Sequence, residues 1–259
     1  MKYKTRKLAD RFISLLSQWP EVECISLNEA AGPDTLDPYF AVIMDVYYNG
    51  TIPGPEKRKE LYGSDVTVFE SSRSNAKDRF LVGTLPVRLE FKNTGKIEEL
   101  TAIVESRQHD LWLLKDSGTY GFYRLAHGDI LFSRTGWIEQ IRSKLLELND
   151  EFWNVMRDAV QSKMEHSLSD LGAALFHNDE FHYLISSALF IKNVCLALFC
   201  INRRFEPSHR AYYKQVLELP LLPESFPASL ETFLRENEEL TKERKYNIAK
   251  LLARSIIAL

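Results

Sequence analysis

The hydrophobic period of the chain changes often up to about residue 135 and is helical beyond it, and that contrast constrains the fold more than any other feature. Before that point, strand-like pieces alternate with short helical ones. From "TGWIEQIRSKLLELND" onward no stretch keeps the period of two that a strand needs. In the first part "EVECISLNEA", "PYFAVIMDVYY", "SDVTVFES" and "LPVRLEF" are rich in β-branched and aromatic residues and bounded by Gly, Pro, Asn or Ser, which predicts four strands. A helix is expected at the opening "KTRKLADRFISLL". Another is expected in "GKIEELTAIVESRQ", where Ile97, Leu100, Ile103 and Val104 share one helical face. "YGFYRLAHGDILF" reads as a hairpin turning near His127-Gly128. In the second part helical periodicity covers 151–168, 178–203, 207–218, 226–239 and 241–258, with Pro220, Pro223 and Pro227 forbidding one continuous helix. The expected architecture is α+β: a mixed sheet with helices over residues 1–140, then an all-α helical bundle over 141–259.

At 259 residues and 45% hydrophobic content the chain can bury cores for two modest domains. A formal net charge of -3 provides no global cationic field, although a local basic face remains compatible with nucleic acid. Cys24, Cys195 and Cys200 are odd in number and lack metal-ligand spacing, which fits a reducing cytoplasm. The basic N-terminus lacks a small-residue cleavage site and reads as a surface helix. "LISSALFIKNVCLALFCI" is interrupted by Lys192 and Asn193, so a buried bundle helix is expected there and no membrane span.

Within "PYFAVIMDVYY" stands a single carboxylate, Asp45. Burying it unpaired is costly, so it requires a partner, a metal or a chemical task. In "LPVRLEFK" the residues Arg88, Glu90 and Lys92 share one strand face while Val87, Leu89 and Phe91 share the other. That polar row offers Glu90 to a metal and Arg88 or Lys92 to phosphate; the plainer alternative is a solvated face with cross-strand ion pairs. Asp37 has the same strand parity as Asp45, but eight extended residues span roughly 26 Å, too far for a common metal; Asp37 reads as a turn cap in "GPDTLDP". Lys57, Arg58 and Lys59, with Arg73, Lys77 and Arg79, mark loops that either close over a triphosphate or are ordinary solvated connections. In "FHNDEFHY", His177 and His182 are five apart, awkward for one helix face, so a helix cap at Asn178 or Asp179 is the expected role of the segment. No Walker, dinucleotide or Ser-elbow fingerprint follows a strand.

Three segments, "SLNEAAGPDTLDPYFAVIMDVYY", "FLVGTLPVRLEFK" and "ALFCINRRFEPSHRAYYKQVLELPLLP", together resemble the nucleotidyltransferase superfamily, in particular bacterial proteins with an antibiotic-nucleotidyltransferase-like front and a helical rear. The resemblance implies transfer of a nucleoside monophosphate from an NTP donor to a hydroxyl of a small molecule, protein or RNA, with Mg2+. It assigns Asp45 and Glu90 as metal ligands and catalytic residues and Lys92 as the cation offsetting developing charge. Ser26, Asn28 and Arg88 are assigned to nucleotide binding. The chain departs from the superfamily pattern in two places. Ala41 and Ile43 stand where paired acids belong, and Leu27-Asn28 stands where a Gly-Ser turn belongs. The alternative is therefore a catalytically inactive member of the fold serving as a nucleotide- or partner-binding module. Arg204 and His209 have the R-x4-H spacing of a helical RNase family, a third reading, and a homodimer is compatible with all of them.

Overall fold

A computed structural model describes residues 3–28, 42–106, 114, 118–235 and 240–259. The chain forms two compact units, one comprising residues up to Ile103 with Arg124–Glu147, the other Val104–Tyr123 with Leu148–Leu259. The border expected at 140/141 thus falls at Glu147/Leu148, and the helical unit also takes a segment from inside the first half. The reason lies in that segment's side chains: Phe122 packs on Phe205 and Thr119 accepts a hydrogen bond from the Glu206 amide, so its partners belong to the later helices.

The first unit contains α1 (Tyr3–Leu16), β1 (Val22–Leu27), β2 (Val42–Tyr48), α2 (Pro55–Tyr62), β3 (Val66–Ser71), β4 (Lys77–Val82), β5 (Leu85–Asn93) and most of α3 (Thr94–Ser106). It continues with the end of α4 (Tyr120–His127), then β6 (Asp129–Ser133) and α5 (Trp137–Leu146). The strands form one sheet in the order β3-β4-β5-β2-β1-β6. β2 and β5 are parallel at its centre, and the other neighbours are antiparallel. Strand alternation sorts the two faces. Ile25, Leu27, Val42, Met44, Val46, Val87, Leu89 and Phe91 join Leu8, Phe12, Leu16 and Trp19 in one apolar core. Phe12 and Leu16 are fully buried, each contributing about 1.5–3 kcal/mol of transfer free energy.

Two expectations change. "YGFYRLAHGDILF" is helix α4 followed by strand β6, with no hairpin, because Phe122 and Leu125 bury at helical spacing while only the residues after Gly128 find a strand partner, β1. Strand β4 was not expected. Its inward positions are Asp78 and Phe80, and the buried acid there breaks the apolar alternation that marks a strand.

Asp78 explains α2 as well. Arg58 is 1% exposed and grips Asp78 through two bonds of 2.7 and 2.8 Å, while also donating to the carbonyls of Pro53 and Asn75. The Tyr62 hydroxyl donates to the same carboxylate, and the Phe91 ring lies 4.6 Å from the guanidinium carbon. Arg58 is therefore a structural clamp and is not available to a phosphate; Lys57 and Lys59 remain exposed beside it.

The second unit contains α6 (Asp150–His177), α7 (Glu180–Ile201), α8 (Tyr212–Leu217), α9 (Phe226–Leu234) and α10 (Lys242–Ile257). Asn178 ends α6 in the left-handed conformation at φ 54°, and the Asp179 side chain caps α7 by accepting from the His182 amide at 2.9 Å. α10 approaches α6 closely at Gly172, where an added Cβ would lie 2.6 Å from the Tyr246 hydroxyl. By length and composition α7 could cross a membrane, with a mean hydropathy of 2.1 over its most apolar window, and half of that window is buried in the unit.

Candidate functional site

The face of the sheet opposite the apolar core carries a row of polar side chains. Register places Ser26 of β1 beside Asp45 of β2, Asp45 beside Glu90 of β5, and Glu90 beside Lys77 of β4. Asp45 is fully buried and Glu90 nearly so. Their side chains point to the same side because the parallel pairing keeps the two strands in phase.

The counter-charges come from three elements. On α4, Arg124 donates one nitrogen to Asp45 Oδ1 and the other to Glu90 Oε2 at 2.8 Å, bridging the two acids with a guanidinium only 4% exposed. From β5, Lys92 donates to Asp45 Oδ2 at 2.9 Å, and Arg88 donates to Glu90 Oε1. Lys77 of β4 stands 3.4 Å from the same Glu90 oxygen. Asn28 donates to Asp45 Oδ2 at 2.8 Å, and the Tyr47 hydroxyl adds a 3.3 Å bond to that atom. Tyr47 is itself packed against the Trp137 ring of α5.

Local structure aims Arg124. Arg142 of α5 donates to the carbonyls of Leu125 and Gly128, satisfying the last turn of α4. Gly128 then lets β1 come close: a Cβ there would meet the Arg124 carbonyl at 2.8 Å and both Asn28 Oδ1 and Ser26 Oγ at 3.0 Å.

Electrostatics follow from this packing. Burial pushes the Glu90 carboxyl up, but Arg124 first, then Arg88, Lys92 and Lys77 outweigh it and hold it at about 2. Burial depresses the Lys92 ammonium below its ordinary value, and Arg124 adds to that effect against the pull of Asp45. Burial and the Asp45 charge raise the Tyr47 hydroxyl well above its usual range, so it remains a neutral donor.

The six residues singled out from sequence, Asp45, Glu90, Lys92, Arg88, Asn28 and Ser26, thus lie on one face of β1, β2 and β5. Ser26 and Asn28 are buried beside Asp45, and Asn28 serves the carboxylate directly. Arg124 was missed because its segment read as a hairpin. Reading Phe122 and Leu125 as a helical pair would have placed it on a helix facing the sheet. Asp37 lies outside the described residues.

A divalent ion needs carboxylate oxygens free to approach within about 2.1 Å. Here each oxygen of Asp45 and Glu90 already accepts from, or lies against, a cationic group, and Arg124 holds the position between them. Among the described residues no three His, Cys, Asp or Glu side chains converge on a metal position. The donor set as folded does not fit Mg2+. The row instead has a cationic excess, four cations facing two acids. Arg79 of β4 extends it, standing directly opposite Arg88. It is exposed and, among the described residues, makes no ion pair, not even with Glu70 across β3. Like charges directly opposite across a ladder are unfavourable, and Glu90 answers the Arg88 side of this pair.

In the helical unit, Asp179 serves as a cap, as read from the sequence. His209 opens a short 3-10 turn, lies against the Tyr212 ring and stands 3.5 Å from Glu206.

No family model matches the chain, and no curated protein matches it. Among solved structures it is similar to the crystal structure of a nucleotidyltransferase-like protein from Exiguobacterium sibiricum 255-15, with a TM-score of 0.50 at 13% identity over 97% of this chain and 74% of that one. At such identity the likeness establishes the fold alone. The chain has a nucleotidyltransferase-like α+β fold.

Proposed function

We propose that this protein is a catalytically silent member of the nucleotidyltransferase-like fold that binds the phosphates of a nucleotide through side-chain cations and without Mg2+. The observation that carries the reading is Arg124, whose guanidinium lies between Asp45 and Glu90 in the place a shared ion would need. Exposed Arg79, with Lys77 and Lys92 partly exposed in the same row, supplies cations for an anion. Asp45 and Glu90 then hold Lys92, Arg88 and Lys77 in place, with Asn28 supporting Asp45. The setting that fits is a reducing cytoplasm, in keeping with three free and buried cysteines.

A second reading, an active transferase moving a nucleoside monophosphate from NTP to a hydroxyl acceptor, draws support from the side-by-side register of Asp45 and Glu90. Isothermal titration with ATP and GTP, with and without EDTA, separates the two. The silent module binds equally in both conditions, and Arg79→Glu or Lys77→Glu weakens binding about tenfold or more, the scale of a charge-assisted bond. Pyrophosphate release that requires Mg2+ and disappears in Asp45→Asn would establish the transferase, and no binding of either nucleotide would end both readings.

A further inference from the structure

The helical unit leaves one apolar face open. On α7, Phe181 at 74% exposure, Leu184 at 68%, Ile185 and Leu189 follow the i, i+3, i+4, i+8 spacing of a single stripe, and Phe176 stands exposed at the turn end of α6. Taking ~200 Å² for a fully open large side chain, these residues leave on the order of 500 Å² of apolar surface in water. That is as much as the largest patch of a typical monomer, and such patches mark contacts.

The two ends of the stripe differ. Its N-terminal end projects the Phe181 ring beside the exposed Asp179, while Glu180 next to it is bridged to Lys242 of α10. Its C-terminal end carries Leu189 and Lys192 at the edges of two hollows. One of 580 Å³ is lined by Met156, Val160 and Leu196 together with the polar Lys163, His166 and Asp170, and one of 360 Å³ by Ile191 and Leu230 among others. Lys192 makes no ion pair among the described residues. A ring and an acid at one end with hollows and a base at the other complement themselves when turned about a two-fold axis.

We propose that α7 is the contact helix of a homodimer, packed antiparallel on a second copy of itself about an axis near Ile185. In that register Phe181 of one copy lies over Leu189 of the other, at the mouth of its larger hollow, the arrangement of an aromatic anchor in a pocket. The acidic end meets Lys192, and the helix macrodipoles oppose. A parallel pair would set Asp179 beside Asp179 and align the dipoles. The interface is independent of any nucleotide site in the first unit.

The test is a symmetric cross-link. The three native cysteines are buried, so Ile185→Cys introduces one accessible thiol at the axis. Mild oxidation is expected to give a covalent dimer on a non-reducing gel, and Leu251→Cys, at an exposed position of α10, is expected to give none. Light scattering after size exclusion should read twice the chain mass for the wild type. Leu184→Asp should weaken dimerisation about tenfold or more with an unchanged far-UV spectrum. Lys192→Glu should weaken it as well. A wild type that stays monomeric at tens of micromolar, an Ile185→Cys chain that cross-links no faster than the Leu251→Cys control, or a monomer that floats with anionic vesicles would each overturn the proposal.

Discussion

Replacing Arg124 by Met would leave Asp45 and Glu90, both buried, facing each other across about one strand spacing of 4.8 Å. Removing one partner from a buried ion-paired group costs on the order of 3–5 kcal/mol, so the urea midpoint of the variant should fall sharply. The same change at Arg88, which is 18% exposed at the rim, should cost much less. A pH series checks the cause. Glu90 titrates at about 2 in the folded chain against an ordinary value of 4.5, so its charge contributes stability that is complete above pH 4.5 and lost as pH falls toward 2, roughly 3 kcal/mol in all. In the Arg124→Met chain this acid-side slope should shrink. Gly128→Ala tests the approach of β1: its Cβ meets a backbone oxygen at 2.8 Å, and overpacking of this kind costs about 1–3 kcal/mol, to be read as a lowered thermal midpoint.

Among the elements, α2 and β4 depend on each other through Arg58 and Asp78. Arg58→Met and Asp78→Leu should each destabilise the chain by several times the loss of a surface pair, and the double variant should recover most of the difference, a non-additivity that denaturant unfolding measures directly. Nucleotide affinity should be the same in folded Arg58→Met as in the wild type, since this guanidinium faces the core. The pair also shows what a sequence can and cannot reveal about elements. β5 was legible because Val87, Leu89 and Phe91 alternate with Arg88, Glu90 and Lys92, and β2 because it is an apolar run rich in β-branched and aromatic residues. β4 was hidden because one of its inward positions is a carboxylate whose counter-ion lies on a helix 20 residues earlier. The site behaved in the same way. Asp45, Glu90, Arg88 and Lys92 sit on readable strands, but Arg124 depends on α4, and a short helix ending at a Gly has the same local chemistry as a turn. Register, which places Asp45 beside Glu90, belongs to pairing between distant segments and leaves no local mark.

At the scale of the whole molecule, the chain passes from the first unit to the second within α3 and returns within α4. A cut at the border suggested by sequence periodicity would therefore split the helical unit's own packing. A fragment of residues 148–259 would lack Thr119 beneath Glu206, the Phe122 ring against Phe205, and the Tyr123 hydroxyl that accepts from Gln215 at 2.7 Å. Its thermal midpoint by far-UV circular dichroism is expected to lie below that of the same fragment fused to residues 104–123. The interleaving was invisible in the sequence because the apolar period of 104–123 suits either unit, and only the identity of its contacts decides. The central carboxylate gives the chain a timetable as well. Asp45 emerges during synthesis 79 residues ahead of Arg124, roughly 4 to 16 s at about 5–20 residues per second. Lys92 follows Asp45 by only 47 residues and can pair with it sooner. The bridge that joins Asp45 to Glu90 is the last part of the row to close, because its guanidinium is the last of these side chains to be made.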